Sequence, residues 1–233
     1  MAAERRHILT PNSNFFVREA YKTLRTNTMF ALAEQEGCKT VLVTSSLQGE
    51  GKSITALNLA ISFTEAENRV LLMDCDLRRP KLARLLRKSS RVGLSNLLLD
   101  PSLLNEVVIP SGIERLDVIL SGDIPPNPSE LLGSSRMSTL LTYLRKHYDY
   151  IIFDTPPINM VTDSVVLAPQ SDGVLFVVRA GQSERGPVAH AVGEPVELPP
   201  RHGARARLHD RRRAGGKAGG GDGEARGAGA GRQ

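Results

Sequence analysis

The sequence predicts an α/β fold, a mostly parallel sheet with helices on both faces, and three observations predict it. Short continuous apolar runs rich in Val, Ile and Leu recur near residues 40–45, 69–74, 115–120, 149–154 and 173–178, the signature of strands buried on both faces. Helical periodicity fills the intervals, near 16–33, 52–65, 81–88, 94–99, 129–147 and 162–168, and such alternation builds parallel strands with crossover helices. A glycine-rich loop follows the run that ends at 45 and acidic residues close those at 74 and 154, so the polar chemistry gathers at one end of the sheet. A chain of 233 residues is long enough to bury one such core.

Taken in order, the first helix carries Glu19, Lys22 and Arg25 on one broad face. That face is either a subunit contact or a solvated surface with a Glu19–Lys22 pair. The first strand runs into Ser46-Leu47-Gln48-Gly49-Glu50-Gly51-Lys52-Ser53, and the next helix begins at once with Ile54. A strand, a glycine-rich loop and a helix in this order form a phosphate cradle of the P-loop NTPase type. Gly49 and Gly51 let successive amides face one anion, and Glu50 and Ile54 extend the same backbone lining. Lys52 bridges the outer phosphates, and the Ser53 hydroxyl is placed for Mg²⁺. Ser46 stands where the usual pattern has its first glycine, so the strand and helix context carries the assignment.

The second strand ends in Asp74-Cys75-Asp76-Leu77-Arg78-Arg79-Pro80, and the one at 149–154 ends in Asp154-Thr155-Pro156-Pro157. In an open parallel sheet these carboxyl ends face the ligand, so Asp74, Asp76 and Asp154 are expected to converge on the loop's phosphates. Carboxylates are the hard oxygen ligands that Mg²⁺ prefers. Cys75 reads as a small buried residue, and two distant cysteines, Cys38 and Cys75, make neither a metal pattern nor a disulfide framework.

Together the Gly49–Ser53 loop, the Asp-x-Asp-x-Arg-Arg-Pro segment and the run from Ile151 to Pro157 resemble the bacterial tyrosine kinases of capsule and exopolysaccharide synthesis, from about Thr10 to Gly181. The resemblance implies ATP and Mg²⁺ as cofactors and a protein tyrosine as acceptor. It implies Lys52, Asp74 and Asp76 as the catalytic set and Ser53, Asp74 and Asp154 as metal ligands; an acceptor phenol gains from a nearby base, for which Asp74 is the candidate, with Asp76 as a second metal or acceptor contact and the division between the two left open. Residues 49–54 would bind the nucleotide. Arg78 and Arg79 either steady phosphate charge or open a helix as exposed residues. It also implies a transmembrane polysaccharide co-polymerase as partner and a homo-oligomer built through the Glu19, Lys22 and Arg25 helix, although Lys22 replaces an arginine of the family pattern. The runner-up is a nucleotide-controlled positioning ATPase of the partitioning type. Those relatives carry a second lysine where Leu47 stands, which favours the kinase.

Residues 1–184 are read as the nucleotide-binding kinase domain and 185–233 as a Gly, Ala, Arg and Pro-rich tail expected to be disordered. The tail holds ten basic and five acidic residues against twenty of each before it, so the net charge of +5 belongs to the tail. Without aromatic residues for stacking, that charge points to no specific nucleic acid. The helix with which the family continues, its next strand ending in an adenine-holding asparagine and a tyrosine cluster are all read as missing, as a change of reading frame near 185–195 would cause; a truncated, inactive copy is the corresponding alternative. No apolar run reaches the roughly 20 residues of a membrane span and the N-terminus lacks a leader's apolar stretch, so a cytoplasmic protein recruited to the inner face of the plasma membrane is expected.

Overall fold

The computed structural model describes residues 7–192 and the backbone of the strand at 205–209. Seven strands form one sheet: β1 (Lys39–Ser45), β2 (Val70–Asp74), β3 (Val108–Ile113), β4 (Leu116–Ile119), β5 (Tyr150–Asp154), β6 (Gly173–Val178) and β7 (Arg205–His209). Their order is β3-β4-β2-β5-β1-β6-β7. The five central strands are parallel, while β3 and β7 pair antiparallel at the two edges. The expected mostly parallel α/β sheet is therefore present, and all five expected strands lie within a residue or so of their predicted positions.

Burial follows the pleat. Val41, Val43, Leu72, Val118, Ile152 and Val177 face one apolar layer. Leu42, Leu71, Met73, Ile119, Ile151 and Phe153 face the other. The first layer is covered by α1 (Phe15–Ala31) and α2 (Lys52–Thr64), whose Leu57, Leu59 and Phe63 are fully buried, each contributing about 1.5–3 kcal/mol. Phe63 stacks on Tyr150 with ring centroids 3.8 Å apart, fixing α2 against β5. The α3 helix (Leu82–Leu86) adds Leu82 and Leu85 to the first layer, and the second is covered by α4 (Leu94–Leu99), α5 (Leu104–Val107), α6 (Pro128–Leu132), α7 (Ser135–Leu144) and α8 (Asp163–Leu167).

Four sequence expectations change. The helix expected over 129–147 is two, because the chain breaks at Gly133 and Ser134, whose hydroxyl accepts the Met137 N–H to cap the second. Strand β3 is not among the expected strands, and it contains the turn-forming residues Pro110 and Gly112; a register shift between Pro110 and Ile113 lets an edge strand tolerate them. The boundary at 184/185 moves, because Arg185–Val192 forms α9, with Val188 buried and Asn159 donating to the Pro187 carbonyl at 2.6 Å. One buried apolar side chain and two contacts of Asn159, with the Pro187 carbonyl and with His190 Nδ1 at 3.2 Å, hold it, too little to mark in the composition. Residues 205–209 likewise pair with β6, whose edge offers unpaired backbone groups. The expectation of disorder over 193–204 and 210–233 falls outside the described residues.

Candidate functional site

At the carboxyl end of β1 the chain leaves the sheet through Ser46 and re-enters regular structure at Lys52. Gly49 and Gly51 take φ of 84° and 98°, the left-handed region that side chains rarely occupy, so the two glycines are required by the backbone itself. Gly51 caps α2 without a side-chain hydrogen bond, which leaves the helix's first amides directed at the loop's hollow.

The Glu50 side chain is turned inward. Its carboxylate accepts the Ser46 hydroxyl at 2.8 and 2.9 Å and the Leu47 N–H at 2.8 Å. Lys52, 5% exposed, reaches across to the second strand, where its Nζ lies 3.1 Å from Asp76 Oδ2. The other Asp76 oxygen accepts the Arg79 N–H at 3.0 Å. Phosphate loop and Asp-x-Asp segment are thus joined by a buried ion pair.

Asp74 and Asp154 stand opposite each other in the parallel register of β2 and β5, both 0% exposed. Asp74 Oδ2 accepts the N–H groups of Lys81 and Leu82, which holds the turn into α3; its Oδ1 has no partner. Neither oxygen of Asp154 has one in hydrogen-bond geometry, although the Ser53 hydroxyl lies close enough to favour its charged form. Burial pushes the Asp154 carboxyl up to about 6, opposed by the charge of Lys52 and by Ser53. Burial, then the facing Asp154, holds Asp74 well above the usual carboxylate range. Unpartnered buried carboxylate oxygens are costly, by several kcal/mol for a full charge, and two side by side beside a lysine form a set of hard donors. That set fits a divalent cation. Among the described residues no three His, Cys, Asp or Glu side chains make a metal-holding group of their own, so phosphates and water would complete its coordination.

The expected residues Gly49, Gly51, Lys52, Ser53, Asp74, Asp76 and Asp154 therefore meet at one end of the sheet. The two arginines of the acidic segment are taken up in side-chain contacts. Arg78 forms a two-point pair with buried Asp163 at 2.9 and 3.1 Å, tying the Arg-Arg-Pro turn to α8, and Arg79 donates to Gln48 Oε1 at 2.9 Å. Sequence reasoning missed Asp163, because an acid opening a short helix reads as a cap. Cys75, between the two acids, is fully buried, and burial with the three neighbouring carboxylates pushes its thiol up; Cys38 is buried too, its thiol raised to about 11. On α1, Glu19 and Lys22 pair with each other at 2.7 Å, while Arg25 turns inward to the Ser62 carbonyl of α2. The three do not form one free face.

The chain is similar to several known proteins. The family model described as an AAA domain matches residues 38–186. The chain is 43% identical over 173 residues to the tyrosine-protein kinase YwqD of Bacillus subtilis (strain 168), covering 74% of this chain and 73% of that protein. Among solved structures, the chimerical protein CapA2B2 superimposes with a TM-score of 0.73 at 35% identity, covering 79% of this chain and 80% of that one. The kinase domain of Escherichia coli tyrosine kinase ETK does so with a TM-score of 0.72 at 34% identity, covering 79% and 75%.

Proposed function

The chain belongs to the bacterial tyrosine-protein kinases of capsule and exopolysaccharide synthesis, and from that premise we propose that it transfers the γ-phosphoryl group of ATP to a tyrosine of another protein. The observation that carries the proposal is the 3.1 Å pair between Lys52 and Asp76, since it couples the phosphate loop to the acidic segment in which this chain resembles the kinases rather than the positioning ATPases.

In this reading the amides of residues 49–54 hold the phosphates, and Lys52, aligned by Asp76, meets the charge that develops on the transferring group. Ser53 and Asp154 would hold Mg²⁺, which would supply charge neutralisation to the phosphates. Asp74 has one free oxygen and a raised proton affinity, so it suits taking the phenol's proton as the phenol oxygen attacks. With its second oxygen occupied by two backbone N–H groups, Asp74 can serve as base or as metal ligand but not both, and we assign it the proton.

The acceptor is expected in another protein. Tyr150 is stacked on Phe63, Tyr148 donates to Asp117 at 2.9 Å, and Tyr21 packs against the core. Tyr143 is exposed but lies ahead of the amino end of β5, away from the loop that follows β1. Among the described residues no helix is long and apolar enough to cross a membrane, and we infer recruitment to the inner face of the plasma membrane by a transmembrane co-polymerase. Exposed Phe15, Phe16 and Phe30 on α1 offer apolar surface for an oligomer or that partner. Incubating the full chain with labelled ATP, Mg²⁺ and a tyrosine-containing copolymer tests the activity. Label on tyrosine that disappears with chelator is expected; ATP hydrolysis without any labelled tyrosine would favour the positioning ATPase instead.

A further inference from the structure

The turn that follows β6 closes on the phosphate loop from a distance of 130 residues in sequence. Arg179 Nη1 donates to the Gly49 carbonyl at 3.0 Å. The Ser183 hydroxyl donates to Glu50 Oε1 and accepts the Arg179 N–H at 2.8 Å, so one hydroxyl links loop and turn. Backbone bonds from the Gln182 and Ser183 N–H groups to the Arg179 carbonyl, at 3.1 and 2.8 Å, tighten the turn, and Gly181 takes a φ of 77° within it. The Gln182 amide sits 3.6 Å from where a side chain on Gly49 would begin.

Glu50 is what makes the arrangement informative. A carboxylate in a phosphate cradle has the same sign as its ligand, and left free it would oppose binding. Here it is 3% exposed, with its charge spread over the Ser46 hydroxyl, the Leu47 N–H and the Ser183 hydroxyl. The hydrogen bonds it accepts are charge-assisted and among the stronger ones a loop can make. They fix the loop's start, at Ser46 and Leu47, to its middle at Glu50. Of these donors, only Ser183 comes from outside the loop.

We propose that Arg179 and Ser183 are positioning residues for nucleotide binding, holding the phosphate loop through Gly49 and Glu50 in the shape that receives a nucleoside di- or triphosphate. This rests on the nucleotide site described above, and adds that the loop is preorganised by the segment just before α9. Losing either contact leaves phosphate-binding atoms present but the loop free to sample other shapes, so affinity falls while the transfer step at saturation is spared.

The test is titration of the full chain with Mg·ADP, alongside the maximal rate of transfer to a tyrosine copolymer at saturating ATP, for wild type, Ser183→Ala, Ser183→Thr and Arg179→Ala. Ser183→Ala is expected to weaken ADP binding roughly tenfold, the scale of one hydrogen bond to a charged group, and Arg179→Ala by about three- to fivefold. Ser183→Thr restores the hydroxyl and binds as wild type. The maximal rate stays within about twofold, and the melting temperatures of the nucleotide-free proteins coincide. Unchanged ADP affinity in both alanine variants overturns the proposal, as does failure of threonine to rescue. An affinity loss that tracks lowered melting temperature also overturns it. A wild type that binds ADP but transfers no phosphate refutes the kinase reading and leaves the latch to be judged on binding alone; a wild type that binds no nucleotide overturns both.

Discussion

The two ends of the sheet treat their carboxylates in opposite ways. At the amino end Asp172 accepts the Thr40 N–H and hydroxyl at 2.7 and 2.8 Å with Arg145 3.5 Å away, Asp149 accepts the Arg69 N–H at 2.8 Å, and Asp117 accepts the Tyr148 hydroxyl. At the carboxyl end Asp154 has no partner, Asp74 lacks one on Oδ1, and Lys52 is shared with Asp76. The same residue type thus supplies strand-end caps in one place and stored electrostatic tension in the other. A protein tolerates such tension where a ligand relieves it, and the contrast marks the carboxyl end as the working end.

The comparison breaks most visibly at Lys52. Lys52→Met removes the only ammonium paired there among the described residues, and phosphoryl transfer is expected to fall by about 10³-fold with an unchanged far-ultraviolet circular dichroism spectrum. Undiminished turnover would dissociate the loop from the chemistry. One step smaller, Asp154→Asn should lower transfer by about 10²-fold without lowering the melting temperature, because it deletes a buried charge that has no partner. Asp172→Ala should do the reverse, losing about 1–3 kcal/mol in urea denaturation and leaving the specific activity of the folded fraction intact. If both variants behaved alike, the two ends would not differ in kind.

The pH dependence sharpens the same contrast. With its folded pKa raised to about 6 from an ordinary 3.8, Asp154 binds its proton more tightly in the folded than in the unfolded chain. Its contribution therefore favours the nucleotide-free fold below about pH 4 and is lost as pH rises through about 6. Asp74 acts in the same direction. Melting temperatures from pH 4 to 7 should show a smaller decline with pH in Asp154→Asn than in wild type. The smallest effect is expected at the exposed Glu19–Lys22 pair, where Lys22→Ala should change stability by no more than about 0.5 kcal/mol in the same denaturation assay.

Much of this working end is legible in the sequence. Continuous apolar runs gave away the five parallel strands, since strands buried on both faces cannot hide among polar residues, and the glycine and acid positions at their ends followed from sheet topology. The antiparallel edge β3 was not legible, because Pro110, Ser111 and Gly112 carry turn chemistry that only pairing with β4 overrides. Nor was the contact of the inward-turned Glu50 with Ser183, or the diversion of Arg78 to Asp163. These are contacts between segments far apart in the chain, and local pattern has no term for them.

Cys75 lies in the backbone between the two acids, and both it and Cys38 are buried with thiols whose proton is hard to remove. No other cysteine occurs in the 233 residues. Maleimide chemistry at neutral pH attacks thiolates that solvent can reach, so the folded chain should be nearly inert to it. A cysteine introduced on an exposed position of α1 would then be a single address for a fluorophore or spin label. The native sequence needs no cysteine removed for distance measurements from that position.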